Sequence, residues 1–259
     1  MAADQVDDAT TLERGHIFFF YRPRVHPPDE EWVPTSVEDI NRTYIVLRRG
    51  ARKLYRLIVI GRKRLPDVGR HEREWGFVDL VSPNPDDIQT VIEGSDYETK
   101  TRGERVLPAA RPAGEGVYAL VRHDNHTHLA YTLEIPKRAG AVQRELHIEP
   151  EASYIVTVKN PQTPTPPGVG LPAETAADYP ASLQSMFHGR RFLPADPPEL
   201  LDYPGAQLIL IGTSTDVHAE LGIELNPQHE DERNAAIFRD LHLNRSEFPL
   251  EPLFRGKWE

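Results

Sequence analysis

Proline is the residue that most restricts the fold of this 259-residue chain, since it occurs 24 times, at about 9% of positions against a usual ~5%. Each proline fixes φ and lacks a backbone N–H, so it is tolerated at turns and element ends rather than inside long elements. Five prolines and two glycines crowd into residues 160–172, a composition that predicts a loop. The chain is therefore expected to be rich in turns and poor in long helices.

Short apolar runs between these turns predict strands. Two hairpins are expected, at residues 43–60 around Gly50 and at residues 117–135 around the two-residue turn Asp124-Asn125. Connections this short are not crossovers between parallel strands, so the sheets are expected to be mainly antiparallel. The predicted fold class is α+β, rich in β-structure, with short peripheral helices.

The order of these elements also predicts the organisation of the chain. Each half consists of roughly four predicted strands followed by a capped helix, and the first helix is expected to begin with Asn84 as its cap and Pro85 at its first position. This pattern leaves open two similar β-rich lobes or a reuse of the same capping chemistry. The expected parts are a disordered acidic N-terminus (1–13), a first lobe (14–94), a basic loop or linker (95–116), a second lobe (117–222) with a Pro-rich loop (160–172), and an acidic C-terminal extension packed on the body (223–259).

Missing residues and motifs exclude several classes of protein. The chain has no cysteine, which rules out disulfide scaffolds, zinc ribbons, iron–sulfur clusters and thiol nucleophiles. It also lacks the GxxxxGK[ST], GxSxG and HExxH motifs and a GxGxxG after a strand, so common nucleotide hydrolases, dinucleotide oxidoreductases, serine hydrolases and zincins are not expected. No apolar run approaches the ~20 residues that cross a bilayer, and the acidic start does not resemble a signal peptide. We expect a soluble cytoplasmic protein.

Charge is unevenly distributed along the chain. Residues 42–74 hold eleven Lys or Arg and three Asp or Glu, although the whole chain carries a net charge of −10. Such a basic segment in an acidic protein indicates an anionic partner, either a separate molecule or another part of the chain. Arg62, Lys63 and Arg64 are the first candidates for the contact residues. The alternative is neutralisation by the acidic segment 196–259, which holds thirteen acidic and five basic residues.

A second basic group lies in a stretch that contains glycine. Lys100, Arg102 and Arg105 are close enough in sequence to clamp a phosphate or carboxylate group from one loop. The simpler alternative is a loop held by surface ion pairs with neighbouring glutamates, which contribute little stability each. Segments 42–74 and 100–111 together make up the predicted basic surface.

Three histidines lie close together in the hairpin RHDNHTHLAY. His126 and His128 fall on one face of the second strand, and the two-residue turn places His123 opposite His126. All three imidazoles are then expected on the face away from the core, within ~5–7 Å of one another, which is near the geometry of a zinc or iron site. A hydrolytic metal site would take Asp124 or Glu134 as fourth ligand or general base. The alternative is an ordinary polar hairpin tip.

Several stretches together are similar to a known family: ERGHIFFFYRPRV, YRLIVIGRKRLPD, WGFVDLV, YETKTRGERVLPAARPAGEGVYALVRH, HTHLAY, PEASYIVTVKNP and LDYPGAQLILIG. They resemble conserved hypothetical proteins of bacteria and plants, and the resemblance covers residues 12–259. It implies a soluble intracellular protein built as one recurring unit. It implies no activity, cofactor or catalytic residue.

These observations favour a non-catalytic intracellular binding or scaffold protein whose basic surface recognises an anionic partner, such as a nucleic acid, a phosphorylated ligand or an acidic protein. No cofactor is expected for this function. One alternative is a metal-dependent hydrolase at His123, His126 and His128, where a divalent metal would bind. A second alternative is a structural homo-oligomer, in which the basic hairpin of one copy meets the acidic tail of another. None of these hypotheses involves a membrane.

Overall fold

The computed structural model describes residues 9–28, 32–50, 53–99, 103–164 and 170–259. Its strands within these residues are β1 (Thr10–Pro23), β2 (Ile40–Arg49), β3 (Leu54–Ile60), β4 (Arg73–Ser82), β5 (Ser95–Thr99), β6 (Gly103–Leu107), β7 (Arg111–His123), β8 (His126–Ile135), β9 (Glu151–Lys159), β10 (Phe192–Pro194) and β11 (Gln207–Ser214). Eight of them form one closed antiparallel barrel in the order β1-β2-β3-β4-β11-β9-β8-β7, with β7 pairing back to β1.

Closure gives the barrel strands a partner on both sides, which removes the exposed edges that invite aggregation. The short β10 pairs with residues 157–159 of β9. It lies on the same edge of β9 as β8, which pairs with residues 151–155 of β9. Strands β5 and β6 form a separate two-stranded sheet.

The helices are short, as the proline content predicts. They are α1 (Pro85–Ile92), α2 (Ala141–Leu146), α3 (Ala181–Met186), α4 (Val217–Leu221), α5 (Ala236–Asp240) and α6 (Glu251–Arg255), with single 3-10 turns at Val37–Asp39, Ala173–Thr175 and Pro198–Leu201. The predicted cap of α1 is confirmed, because the Asn84 side chain accepts a hydrogen bond from the Asp86 N–H and proline follows at the first helical position. The described helices include none that is long and apolar enough to span a membrane.

Strand β1 shows how the chain builds two apolar layers from one run of aromatic residues. Ile17, Phe19 and Tyr21 belong to the core inside the barrel, whereas Phe18 and Phe20 belong to a second core outside it. The outer core lies between β1–β3 and helices α1, α5 and α6, and a smaller one lies between β7–β8 and α4. Both faces of the barrel wall are therefore buried over much of its surface.

The predicted fold class is confirmed: the chain is β-rich, antiparallel and has short helices. Strands from both predicted lobes share the barrel, since β1 pairs with β7 and β4 pairs with β11, so the segment 95–116 does not separate two sheets. Strand β1 begins at Thr10, inside the segment 1–13 that was predicted to be disordered. Pairing with β7 orders this start, and Glu13 is buried there.

Candidate functional site

The first predicted basic cluster already has partners within the chain. Arg62 Nε lies 2.8 Å from Glu74 Oε1, and Arg64 Nη2 lies 3.7 Å from Glu72 Oε1. Lys63 Nζ donates a hydrogen bond of 2.6 Å to the main-chain carbonyl of Glu38. These contacts reduce the charge that the cluster offers to another molecule.

The second predicted basic cluster is only partly described. Lys100 and Arg102 lie outside the described residues, so their predicted role stays a prediction. Arg105 lies on β6, opposite Tyr97 in the separate two-stranded sheet.

Other arginines of segment 42–74 are turned inwards. Arg56 is about 1% exposed and contacts Glu13 and Asp202 inside one end of the barrel. Arg49 contacts Glu13 at 3.0 Å and Glu199 at 3.3 Å. Two of these acidic partners, Glu199 and Asp202, come from segment 196–259. The acidic segment therefore neutralises part of the basic segment, which is the alternative that the sequence left open.

The histidine hairpin has the predicted register. Asp124 occupies the turn with φ of 52°, and His123 pairs directly with His126. The ring of His128 lies 5.9 Å from that of His123 and 6.4 Å from that of His126, measured between centroids. The three imidazoles therefore share one face, as expected.

His128 is buried rather than solvent-facing, because α4 covers this face of the hairpin. Burial lowers the pKa of the His128 imidazole, and its Nδ1 lies 3.8 Å from Glu220 Oε1, too far for a hydrogen bond. Across the described part of the chain, we find no group of three or more His, Asp or Glu side chains arranged to hold a metal ion. The metal hypothesis stays a prediction.

A cleft of about 310 Å³ lies elsewhere, on the outer face of β1, β2 and β7. We call it the β1 cleft, and its described lining residues are Arg14, Gly15, His16, Arg48, Gly50, Val117, Tyr118, Leu225 and Asn226. Antiparallel pairing builds its centre, because His16 lies directly opposite Arg48 on one side and Val117 on the other. Directly opposed residues share a face, and Arg14 joins them two positions earlier along β1.

Glycine at position 15 permits this close strand packing. A Cβ atom there would lie 1.9 Å from the carbonyl oxygen of Arg48 and 2.9 Å from Cε1 of Tyr118. Both distances are below any normal contact, so a larger residue would force β1 and β2 apart. The spacing of Arg14, His16 and Arg48 therefore depends on Gly15.

Asp240 fixes the orientation of His16 from the far end of the sequence. The His16 Nδ1–H donates to Asp240 Oδ2 at 2.5 Å, which leaves Nε2 as the ring nitrogen that remains for a ligand. Burial alone would raise the pKa of Asp240, but the hydrogen bond from His16 and the positive charge of Arg48 hold it below its ordinary value. Asp240 therefore stays a carboxylate in the folded protein.

The two arginines of the β1 cleft are held in different ways. Arg48 Nε lies 3.6 Å from Asp240 Oδ2 and has no hydrogen-bond partner among the described residues, although it is buried. Arg14 Nη1 donates to the main-chain carbonyl of Glu224 at 2.9 Å, next to the wall residues 225–226. A buried donor without a partner is costly unless something binds it.

A buried carboxyl group anchors the helix that carries Asp240. The side chain of Glu115 accepts hydrogen bonds from the Ala236 and Ile237 N–H groups, at 3.0 and 2.9 Å, at the start of α5. Burial, reinforced by a hydrogen bond with Glu230, raises the pKa of Glu115 to about 9. Glu115 docks α5 so that Asp240 reaches His16.

Sequence reasoning missed the β1 cleft. Period two along β1 places Arg14 and His16 on one face, so that part of the signal was present in the sequence. Arg48 joins them only through the β1–β2 register, and Asp240 follows His16 by 224 positions. Nothing local in the sequence connects these residues.

Comparisons of the chain with protein-family models, with curated proteins and with solved structures find no match. The resemblance to conserved hypothetical proteins stays a prediction. Inferences about function therefore depend on the geometry of this chain alone.

Proposed function

We propose that this protein is a non-catalytic binding protein that holds a small phosphorylated ligand in the β1 cleft. The observation that carries the proposal is the convergence of Arg14, His16 and Arg48 on one cleft whose described lining residues include no acidic side chain. Guanidinium groups bind phosphate through paired, charge-assisted hydrogen bonds. The His16 imidazole adds Nε2 as a further group for hydrogen bonding.

The charge of Arg48 supports an anionic ligand. Arg48 lines the cleft, and its Nε lies 3.6 Å from the Asp240 carboxylate, beyond hydrogen-bond distance, so its positive charge is only partly compensated within the protein. Asp240 lies behind Arg48 and His16, where its carboxylate accepts a hydrogen bond from His16 and partly neutralises Arg48. Binding then exchanges water for a second anionic partner at a site that is already assembled.

The size of the β1 cleft favours a small molecule over a polyanion. A volume of about 310 Å³ lies at the lower end of the ~300–1,000 Å³ that is usual for small-molecule sites. An extended nucleic acid would need a continuous basic surface, whereas Arg62 and Arg64 are each paired with a glutamate. From the predicted basic segment 42–74, Arg48 lines the β1 cleft, whereas Arg62 and Arg64 lie outside it.

Isothermal titration calorimetry of the full chain with glycerol 1-phosphate, in buffer free of phosphate, tests the proposal. We expect saturable binding that weakens with added salt, and no binding of glycerol. Arg48→Met and Arg14→Met should each weaken binding at least tenfold, a typical effect of losing a charge-assisted contact. Arg62→Met is the matched control, because it removes the same charge from a surface position outside the cleft.

Two results would overturn the proposal. One is the absence of saturable binding to glycerol 1-phosphate. The other is an equal loss of affinity in Arg48→Met and Arg62→Met, which would mean that only the overall charge matters. Salt-dependent binding of a single-stranded oligonucleotide that is unchanged in Arg48→Met would point instead to nucleic acid.

A further inference from the structure

A second cleft opens at the tip of the β7–β8 hairpin, where the barrel wall divides. Residues 151–155 of β9 pair with β8, and residues 157–159 of the same edge pair with β10. The tip of the β7–β8 hairpin therefore separates from β9 where β10 takes over the pairing. The cleft has a volume of about 500 Å³. We call it the hairpin cleft, and its described lining residues are Arg122, Asp124, Asn125, His126, Thr127, Met186, His188, Arg190, Leu193, Pro194 and Asp196.

The hairpin cleft differs from the β1 cleft in its balance of charge. Its described lining holds two arginines and two aspartates, and it shares no residue with the lining of the β1 cleft. Arg122 and Asp196 form an ion pair with each other at 3.3 Å. Arg190 and Asp124 therefore provide one further positive and one further negative charge.

Arg190 and Asp124 are the charges that a ligand would find available. In the described part of the chain, neither side chain forms an ion pair. The guanidinium of Arg190 makes only long hydrogen bonds of 3.4 Å, to the carbonyl groups of Met186 and Phe187. Such long contacts are weak and leave donors for a carboxylate. Asp124 presents its carboxylate from the turn of the hairpin, where its φ of 52° fixes the backbone.

The rest of the described lining combines uncharged or histidine side chains (Asn125, His126, Thr127 and His188) with an apolar part. Met186, Leu193 and Pro194 supply a thioether and two hydrocarbon surfaces beside the charged groups. A flexible methionine adapts to different apolar groups. A ligand matched to this lining carries one positive group, one negative group and an apolar side group.

The geometry points to a binding site for a zwitterion with an apolar side group, such as a free α-amino acid, in the hairpin cleft. Arg190 binds the carboxylate, Asp124 binds the ammonium group, and Met186 and Leu193 contact the side group. A purely anionic ligand would meet two aspartates, and a purely cationic ligand would meet two arginines. This site is independent of the phosphate site proposed for the β1 cleft.

The two methionines of the chain give a direct test. Only Met1 and Met186 are present, so the full chain labelled with ¹³C at the methionine methyl groups gives two signals, and Met186→Leu assigns the one from the cleft. Titration with L-leucine should move the Met186 signal in a saturable way and leave Met1 in place. The analogues 4-methylpentanoate, which lacks the amino group, and 3-methylbutylamine, which lacks the carboxylate, should bind at least tenfold more weakly.

Variants separate the proposed contacts from general charge effects. Arg190→Met and Asp124→Asn should each weaken L-leucine binding at least tenfold. Arg191→Met is the matched control, because Arg191 lies over the ring of Phe192 and does not line the cleft. Circular dichroism and urea unfolding establish that each variant is folded before it is titrated.

Three outcomes would overturn the inference. These are an unmoved Met186 signal at saturating L-leucine, analogues that bind as tightly as L-leucine, and an Arg190→Met variant that binds like the unmodified protein. A Met186 signal that responds to inorganic phosphate but not to L-leucine would make the hairpin cleft an anion site instead. The phosphate test of the β1 cleft gives its answer separately, since its variants and its ligand are different.

Discussion

We expect Arg56→Met to lower the free energy of unfolding by about 3–5 kcal/mol, the usual cost of removing one partner from a buried ion pair. Arg56 donates to both carboxylate oxygens of Glu13, at 2.5 and 3.0 Å, and through Nε to Asp202 at 2.6 Å. Burial alone would lower the pKa of Arg56, but the hydrogen bond and charge of Glu13 hold it above its ordinary value. Methionine keeps much of the apolar contact but leaves Glu13 buried with fewer donors.

The neighbours of Glu13 place the expected loss in the lower part of that range. After the substitution, Glu13 still accepts hydrogen bonds from the Tyr118 hydroxyl at 2.6 Å and contacts Arg49 Nε at 3.0 Å. We therefore expect about 3 kcal/mol for Arg56→Met. The double variant Glu13→Gln/Arg56→Met should lose about 1–3 kcal/mol less than the sum of the single variants, because neither charge is then left unpaired.

Urea unfolding at pH 7, followed by circular dichroism, measures these differences. Arg62→Met is the control, since the Arg62 side chain is 65% exposed and pairs with one glutamate, and the substitution should cost about 1 kcal/mol or less. A loss below about 1 kcal/mol for Arg56→Met would refute the interpretation of Arg56 as a buried structural ion. Additive losses in the double variant would refute the coupling to Glu13.

Three further predictions concern the supports of the β1 cleft. Burial raises the pKa of Glu115 to about 9 in the folded chain, from an ordinary value of 4.5. The free energy of unfolding should therefore fall as pH rises between these values, by up to about 1.4 kcal/mol per pH unit. Glu115→Gln should flatten this slope in urea unfolding. The pH dependence from Asp240 has the opposite sign, because its pKa is lowered in the folded chain. The stability that it contributes should be lost as pH falls below its ordinary pKa of 3.8, and Asp240→Asn should reduce this loss in acid unfolding curves. Gly15→Ala should destabilise the chain by about 1–3 kcal/mol or more and weaken glycerol 1-phosphate binding, because the added methyl group overlaps the Arg48 carbonyl oxygen. An unchanged affinity in calorimetry and an unchanged free energy of unfolding would contradict the packing assigned to this position.

The predictions that succeeded depend on residues close together in sequence. The β7–β8 hairpin was predicted in its register because a two-residue turn fixes which residues lie opposite each other, and His123 does pair with His126. The start of α1 was predicted because Asn84 and Pro85 favour a helix N-terminus locally. In each case the determining contacts span only a few residues.

The basic segment was predicted less well, because its arginines were assigned to a surface. Along β3, Arg56, Ile58 and Ile60 alternate with Leu57 and Val59, and both faces are buried. Period two identifies the two faces but not which one points into the barrel. Only the closed sheet, with Glu13 and Asp202 opposite, shows that Arg56 is an interior residue.

Local patterns in the sequence account for the short elements, the antiparallel hairpins and the short helices of the described residues, since prolines, turns and alternation act over a few residues. The closure of eight strands into one barrel depends instead on pairings between distant segments, such as β1 with β7. The β1 cleft also depends on distant contacts, because Arg48 reaches His16 through strand register and Asp240 reaches it through the docking of α5 on Glu115. Contacts of this kind join residues that are far apart in sequence, so local patterns carry no information about them.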